Sequence, residues 1–294
     1  MSFITYLING ISLGSVYAII ALGYTMVYGI AKMLNFAHGD VIMVGGFAVF
    51  TVVTTLGLPP VVGIIVAVVV CTILGLTIER IAYKPLRNAA SSLAVLITAI
   101  GVSYLLQNVA LLIYGANTKS FTSVITVPDL KLAEGAIVIT GETIVTIFSC
   151  IVIMLVLTFF VNKTKAGQAM LAVSEDKGAA QLMGINVNGT IALTFGIGSA
   201  LAAIAGVLLC SAYPSLTPYT GAMPGIKAFV AAVFGGIGSI PGAMIGGILL
   251  GVIEIFGKAY ISSQMADAIV FGVLVIVLLV KPTGILGKNI QEKV

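Results

Sequence analysis

Hydrophobic residues fall into long runs along this chain, separated by short polar breaks. The runs cover residues 7–30, 41–56, 59–79, 92–114, 142–162, 190–212, 225–234, 241–257 and 266–281. Each run is continuous rather than alternating, which predicts helices and not the strands of a barrel. The pattern predicts an all-α, polytopic integral membrane protein with about eight or nine transmembrane helices, forming one transmembrane domain over residues 1–294.

The composition agrees with a membrane protein. Hydrophobic residues make up 60% of the chain, charged residues only 8%, and the mean hydropathy is +1.20. A soluble domain of 294 residues could not cover so much apolar surface.

Basic residues predict the orientation of the chain in the membrane. The first is Lys32, so nothing basic holds the N-terminus in the cytoplasm, and we expect it outside. Three basic clusters then mark cytoplasmic regions: residues 80–87, residues 163–177 and the C-terminus from residue 281. The stretch 115–142 lies outside in this arrangement.

Residues 163–190 form a charged, helix-forming stretch within this apolar chain. We expect Ser174 to cap a short helix over about residues 175–183, and Gly184 to end it. Glu175 and Asp176 would place negative charge in its first turn, where the helix dipole favours it. Such a helix is too short to span a bilayer, and its apolar side predicts contact with a partner; the alternative is an interfacial turn between two spans.

Two glycine-containing breaks interrupt the apolar pattern. They comprise Asn35, Phe36, His38, Gly39 and Asp40 before one run, and Gly235, Gly236, Gly238, Ser239, Pro241 and Gly242 before another. Transporters place unwound backbone and half-helix ends along the substrate route in paired breaks of this kind. The run 225–234 would be about 15 Å long as a helix, half the hydrocarbon thickness, which predicts a broken or re-entrant hairpin near residues 225–257.

Single ionisable residues have both structural and functional interpretations. Asp40 would sit in the first turn of a helix, where the dipole stabilises it, or it would form part of a gate. His38 is expected to be an interfacial or hydrogen-bonded residue rather than a proton relay. Glu254 and Lys258 are spaced four apart and predict an ion pair on a helix surface near the outer interface.

Enzymatic chemistry has little support in the sequence. Cys71, Cys150 and Cys210 lie in apolar runs without metal-ligand spacing, so we expect them to be packing residues. A single histidine excludes a multi-histidine metal site, so no metal is expected. The sequence has no phosphate-binding loop of the type G-x4-G-K-S/T, so the chain itself is not expected to bind ATP.

Several long motifs resemble one transporter family, the LivH-type permease subunits of branched-chain amino acid ABC importers. The motifs are residues 12–18 (SLGSVYA), 23–30 (GYTMVYGI), 35–40 (NFAHGD), 78–87 (IERIAYKPLR), 235–243 (GGIGSIPGA) and 282–287 (PTGILG). The similarity extends nearly from end to end, whereas the external loop is less family-like.

This resemblance implies a set of partners and a coupling segment. The partners would be a second, related permease, two cytoplasmic ATPase subunits that bind ATP and Mg, and an extracytoplasmic solute-binding protein, in the lipid bilayer of a bacterial cytoplasmic (inner) membrane and without nucleic acid. The segment that docks into an ATPase groove would include Ser174, Glu175, Asp176, Ala179, Ala180, Leu182, Met183 and Gly184.

The sequence thus predicts a permease that carries leucine, isoleucine or valine by alternating access and is not itself an enzyme. Urea and short-chain amides are alternative substrates within the same family. A different class, an autonomous secondary transporter, would need its own ion-coupling groups, and its candidates are His38, Asp40 and Glu254.

Overall fold

A computed structural model describes residues 2–87, 92–132 and 137–287 of this chain. Its α-helices are α1 (Ser2–Ala31), α2 (His38–Phe50), α3 (Pro60–Ile78), α4 (Ser92–Tyr114), α5 (Gly141–Lys163), α6 (Lys165–Glu175), α7 (Lys177–Leu182), α8 (Val187–Ala212), α9 (Ala222–Gly235), α10 (Ile240–Tyr260) and α11 (Ala266–Val280). Helix α2 continues through a π-helical turn (Thr51–Thr55), and α3 continues through a second one (Glu79–Tyr83) and a 3-10 turn (Lys84–Leu86).

The predicted apolar runs all correspond to helices. Within the described residues, seven helices are long and apolar enough to cross a membrane. Two apolar helices are shorter, Ala222–Gly235 and Ala266–Val280. The predicted polytopic helical fold is therefore confirmed, and α9 is short, as its run indicated.

Short strands join the loops at one end of the bundle. Strand β1 (Lys119–Ser120) pairs antiparallel with β4 (Ser215–Leu216), so that Lys119 lies opposite Leu216. Strands β2 (Leu130–Leu132) and β3 (Ile137–Ile139) form a separate antiparallel pair. The first pair ties the loop after α4 to the segment that follows α8.

Helices α1, α2, α8 and α10 form the packed centre of the bundle. Glycines allow α1 and α10 to cross closely: a Cβ atom on Gly14 would lie only 2.6 Å from the Cα atom of Ile248. The outer helices instead expose large apolar side chains, such as Leu112 on α4 and Phe148 on α5. Such surfaces suit contact with lipid.

The two ends of the bundle carry different charges. The beginning of α1 meets the end of α10, where Phe3 and Phe256 pack edge to face with ring centroids 5.2 Å apart. At the opposite end, the end of α1 lies beside α7, the α9–α10 turn and residues 284–287. That end gathers the predicted cytoplasmic basic residues Lys32, Arg87 and Lys177. The beginning of α1 and residues 284–287 therefore lie at opposite ends; that the latter end faces the cytoplasm stays a prediction from charge.

Candidate translocation and coupling sites

The first glycine break turns the chain back into the bundle. Helix α1 ends at Ala31, yet a Cβ atom on Gly23 would lie 2.6 Å from Nε2 of His38, at the start of α2. His38 is therefore level with Gly23, about 12 Å of helix before the end of α1. Residues 32–37 return into the bundle, and α2 begins well inside it.

Polar groups of this first break are buried. Asn35 accepts a hydrogen bond from the Tyr83 hydroxyl at 3.0 Å, and Asp40 accepts one from Nε2 of Gln107 at 2.9 Å. The His38 ring packs edge to face on Tyr24, and neither of its nitrogens makes a hydrogen bond of good geometry. Asp40 lies in the first turn of α2, where the sequence placed it. These residues form a buried polar patch inside the bundle. Asp40 is stabilised there by the N-terminal end of α2 and by the hydrogen bond from Gln107.

The start of α9 meets the start of α2 at this depth. A Cβ atom on Gly39 would lie 2.6 Å from the carbonyl oxygen of Gly221, and one on Gly225 would lie 2.7 Å from the Cα atom of Gly39. Beside this contact, Phe36 packs against Phe229 of α9, with ring centroids 5.8 Å apart. The N-terminal, positive ends of α2 and of the short helix α9 thus meet inside the bundle, an arrangement that transporters use along substrate routes.

The second break has a different position. Residues 236–239 form a tight turn between α9 and α10, with Gly236 and Gly238 at φ +106° and +92°. The Ser239 hydroxyl caps α10 by accepting from the Gly242 amide at 3.1 Å. The amides of Ile285 and Leu286 donate to the carbonyls of Phe234 and Gly235, both at 2.9 Å, which fixes this turn at the end of the bundle near the C-terminal segment.

Residues 213–221 therefore form the interruption that faces the first break inside the bundle. The predicted second break does not lie there. Its residues are Gly235, Gly236, Gly238, Ser239, Pro241 and Gly242. Sequence alone indicates where backbone is interrupted but not how deep the interruption lies. The two predicted breaks also come near each other, because Asn35 and Ile237 line one small cavity of about 10 Å³.

The segment over residues 163–190 forms two helices rather than one. Helix α6 begins at Lys165, with the Thr164 hydroxyl accepting from the Gly167 amide at 3.0 Å. The expected cap at Ser174 is wrong, because Ser174 lies inside α6 and its hydroxyl donates to the Leu171 carbonyl. Glu175 is likewise the last residue of α6 rather than the first of a new helix.

The true cap of α7 is Asp176. Its Oδ1 accepts from the amides of Gly178 and Ala179 at 2.7 and 2.9 Å. The expected end at Gly184 is confirmed: Gly184 has φ +82°, and the Ile185 amide donates to the Ala180 carbonyl at 3.0 Å. Aspartate serves as well as serine in an N-cap, so the sequence offered two caps two residues apart.

One residue of the predicted docking segment, Ala180, does not face outward. Ala180 is 3% exposed and packs against its own chain, so it is not on an outward docking face. Leu182 and Met183 are 90% and 82% exposed, and Ala179 beside them is also exposed. The outward apolar surface of this segment therefore consists of Ala179, Leu182 and Met183.

Helix α7 is bonded to the end of α1. Nζ of Lys177 donates to the carbonyl oxygen of Ala31 at 3.0 Å. Burial and the nearby positive charges of Arg87 and Lys32 lower the pKa of Lys177. Arg87 itself pairs with the buried Glu79 and with Asn188. These contacts connect α7 directly to the segment that leads into the first break.

A buried ion cluster at the other end was missed by the sequence reasoning. Glu254 is 1% exposed; its Oε1 accepts from Lys227 at 2.8 Å and Lys258 at 2.6 Å, and its Oε2 accepts from the Tyr17 hydroxyl at 2.9 Å. Lys227 also pairs with Asp267 at 2.7 Å. The expected Glu254–Lys258 pair is present, but its carboxylate is buried rather than on a surface. A lone lysine and a lone glutamate in neighbouring apolar helices were the available signal, because intramembrane charges pair.

Over residues 2–87, 92–132 and 137–287, no group of three or more histidine, cysteine, aspartate or glutamate side chains could hold a metal ion. The three cysteines are buried and free, as expected for packing residues.

Comparison with known proteins gives matches over nearly the whole chain. The chain is 45% identical over 303 residues to the high-affinity branched-chain amino acid transport system permease protein LivH of Salmonella typhimurium, covering 99% of this chain and 98% of the relative. It is also 45% identical to the corresponding protein BraD of Pseudomonas aeruginosa, again over 99% of this chain and 98% of the relative. A probable LivH of Methanocaldococcus jannaschii is 30% identical, over 92% of this chain and 88% of that protein.

The family profile described as "Branched-chain amino acid transport system / permease component" matches residues 6–279. Members of this family are transport subunits rather than enzymes. The helical bundle, its interrupted helices and the end-to-end similarity agree, and this chain belongs to the family of branched-chain amino acid transport system permease components.

Proposed function

We propose that this chain is the permease subunit of an ATP-driven importer that carries leucine, isoleucine or valine across the inner membrane of a bacterium. The observation that carries this proposal is the 45% identity, over 99% of the chain, to permeases named for high-affinity branched-chain amino acid transport. Its complex would contain a second permease, two cytoplasmic ATPase subunits with ATP and Mg, and an extracytoplasmic solute-binding protein.

The surface of α7 supports contact with an ATPase subunit. A short, doubly capped helix exposes Leu182 and Met183 at the end of the bundle that carries the basic loops. Exposed apolar side chains on a rigid helix are stabilised when a partner removes them from water. The partner's groove would cover Ala179, Leu182 and Met183, while Ala180 anchors the helix to the permease.

Motion of α7 has a short path to the first break. Lys177 bonds to the last residue of α1, and Lys32 begins the segment that returns to His38. A displacement of α7 on ATP binding would pull on the end of α1 and on the start of α2. Gly39 contacts Gly221 and Gly225 inside the bundle, and at this contact such a displacement would separate the start of α2 from the start of α9.

Reconstitution tests the proposed function. The complete complex is placed in proteoliposomes with the ATPase side facing outward and the solute-binding protein inside. On addition of ATP, we expect export from the lumen of labelled leucine, isoleucine and valine, and none of urea or acetamide. Movement of the amino acids without ATP, driven by an ion gradient, would contradict the ATP-driven mechanism. ATP-dependent movement of urea alone would contradict the substrate class.

A further inference from the structure

A cavity of about 390 Å³ lies beside the buried ion cluster. It is an open cavity, bounded by α1, α8, α10, the segment 213–221 and the first turn of α9. The residues that line it are Leu13, Tyr17, Leu209, Tyr213, Ser215, Thr217, Thr220, Pro224, Glu254 and Lys258. This volume falls within the usual range of small-molecule sites, about 300–1,000 Å³. The cavity lies toward the end of the bundle at which α1 begins.

The two charged residues that line this cavity differ in their exposure and in the hydrogen bonds they already make. Glu254 is 1% exposed, and both of its oxygens already accept hydrogen bonds. The Lys258 side chain is 38% exposed, and among the described residues its ammonium gives one hydrogen bond, to Glu254. An ammonium carries three donors, so two remain for a ligand. The charge that this cavity offers to a ligand is therefore positive.

The other residues that line the cavity suit the ammonium group and the apolar side chain of a small amino acid. Leu13 and Leu209 present apolar surface, while the Thr217 and Thr220 hydroxyls bond to each other at 3.2 Å. Hydroxyl oxygens can accept from a ligand ammonium, and the leucines can cover an apolar side chain.

We propose that this cavity is a recognition site for the carboxylate of a small apolar amino acid, with the Lys258 ammonium as the group that binds it. Lys227 holds Glu254 from the other side, so Glu254 stays paired when Lys258 turns toward a ligand. Amides and urea lack the anionic group and can accept only a weaker, uncharged hydrogen bond from Lys258, which makes this site selective for amino acids. This inference rests on the proposed function, because it takes the transported solute as its ligand.

Thiol labelling provides the test. Ser215→Cys places a reactive group on the cavity wall, and the native cysteines are buried. Ser120→Cys is the matched control, because Ser120 lies directly opposite Ser215 in the strand pair but does not line the cavity. The complete permease–ATPase complex is labelled without binding protein and with increasing leucine. We expect leucine to slow labelling of Ser215→Cys in a saturable manner, leucinamide to slow it at least about tenfold less effectively, and Ser120→Cys to be unaffected by either.

Substitution of Lys258 gives the second measurement. In the Ser215→Cys background, Lys258→Met should raise the leucine concentration for half-maximal protection about tenfold or more, since a charged hydrogen bond is lost. Lys258→Arg, which keeps the charge and checks that the cluster still folds, should retain protection. Lys131→Met removes a lysine from the loop at the same end and should change nothing.

Equal protection by leucine and leucinamide would overturn the site, and so would unchanged protection in Lys258→Met. Uptake by the same Ser215→Cys complex separates this proposal from the proposed function. ATP-driven leucine transport without protection overturns the site and leaves the function intact. Protection by leucine in a complex that transports urea alone supports the site and overturns the function.

Discussion

The Lys177 ammonium and the Ala31 carbonyl, 146 positions apart in sequence, form a hydrogen bond of 3.0 Å. Ala31 is the last residue of α1, and a lysine at a helix C-terminus satisfies a free carbonyl and complements the helix dipole. The bond joins α7, the proposed ATPase contact, to the helix whose end leads into the first break. The proposed ATPase contact and the interruption inside the bundle are thus linked through one hydrogen bond.

Replacing Lys177 tests this connection. Lys177→Met removes the donor without changing the exposed face of α7, so the ATPases should still bind while transport falls about tenfold, the cost of one charged hydrogen bond. The measurement is ATPase co-purification alongside ATP-driven transport. Lys177→Arg should largely restore transport. Lys165→Met, an exposed lysine on the neighbouring α6, should leave both unchanged; normal transport by Lys177→Met would show that the bond carries no coupling.

The acidity of Lys177 should be measurable by its reactivity. Burial, Arg87 and Lys32 lower the pKa of Lys177, so its neutral, nucleophilic form appears at lower pH than in an ordinary lysine, whose pKa is about 10.4. Acylation followed by mass spectrometry should give a reactivity profile displaced to lower pH. Lys32→Gln removes one repelling charge and should move the profile back upward. Arg80→Gln is the control, and an unmoved profile in Lys32→Gln would contradict the proximity of the two lysines.

The sequence predicted the helices well because apolar runs of about 20 residues have few alternatives in a bilayer. It also predicted the stop at Gly184, since a positive φ at a helix end strongly favours glycine. The cap was misplaced because Ser174 and Asp176 are both good caps, and only the preceding helix α6 excludes Ser174. Periodicity was also uninformative about Ala180, since a helix of six residues has no long apolar stripe.

The sequence did not predict how deep in the bundle each interruption lies, nor which charged residues on different helices form pairs. Nothing local distinguishes the turn at Gly236, which lies at the end of the bundle, from the interruption at Gly221, which lies inside it. The pairing of Lys227 with Glu254 and Asp267 joins three helices, and such partners become visible only when the helices are packed.

The outward face of α7 should determine ATPase binding. Leu182→Glu places a charge where an apolar groove is expected, so co-purification of the ATPases should be lost while the permease remains at normal abundance. Leu171→Glu, the same change at an exposed leucine of α6, should keep the complex intact. Ala180→Arg should act differently: Ala180 is buried against the permease, so this variant should lower permease abundance. Retention of the ATPases by Leu182→Glu would place the contact elsewhere.

The ion cluster should contribute measurably to stability. Among the described residues, Lys227→Met leaves Asp267 without a salt-bridge partner and Glu254 with Lys258 as its one remaining cation, a cost of about 3 kcal/mol for the broken buried pair of Lys227 and Glu254. A lower melting temperature of the purified permease is expected, while Lys131→Met should melt like the parent protein. Asp267→Asn should cost less in the Lys227→Met background than alone, because the interaction is already gone. Additive losses would mean that the two charges are not coupled.

The contact between the starts of α2 and α9 should not tolerate the addition of a single methyl group at Gly39. A Cβ atom on Gly39 would lie 2.6 Å from the Gly221 carbonyl oxygen and 3.3 Å from the Gly225 Cα atom. Both neighbours are backbone atoms, so the strain of Gly39→Ala can be relieved only by moving α9 away from α2, at about 1–3 kcal/mol. If transport requires these helix ends to close on each other, the variant should assemble with its ATPases and hydrolyse ATP but transport at least about tenfold more slowly. Gly101→Ala, at a helical glycine with open space around it, controls for the added methyl group. Normal transport by Gly39→Ala would mean that this contact is only packing, and that the solute passes the bundle by a route that does not separate α2 from α9.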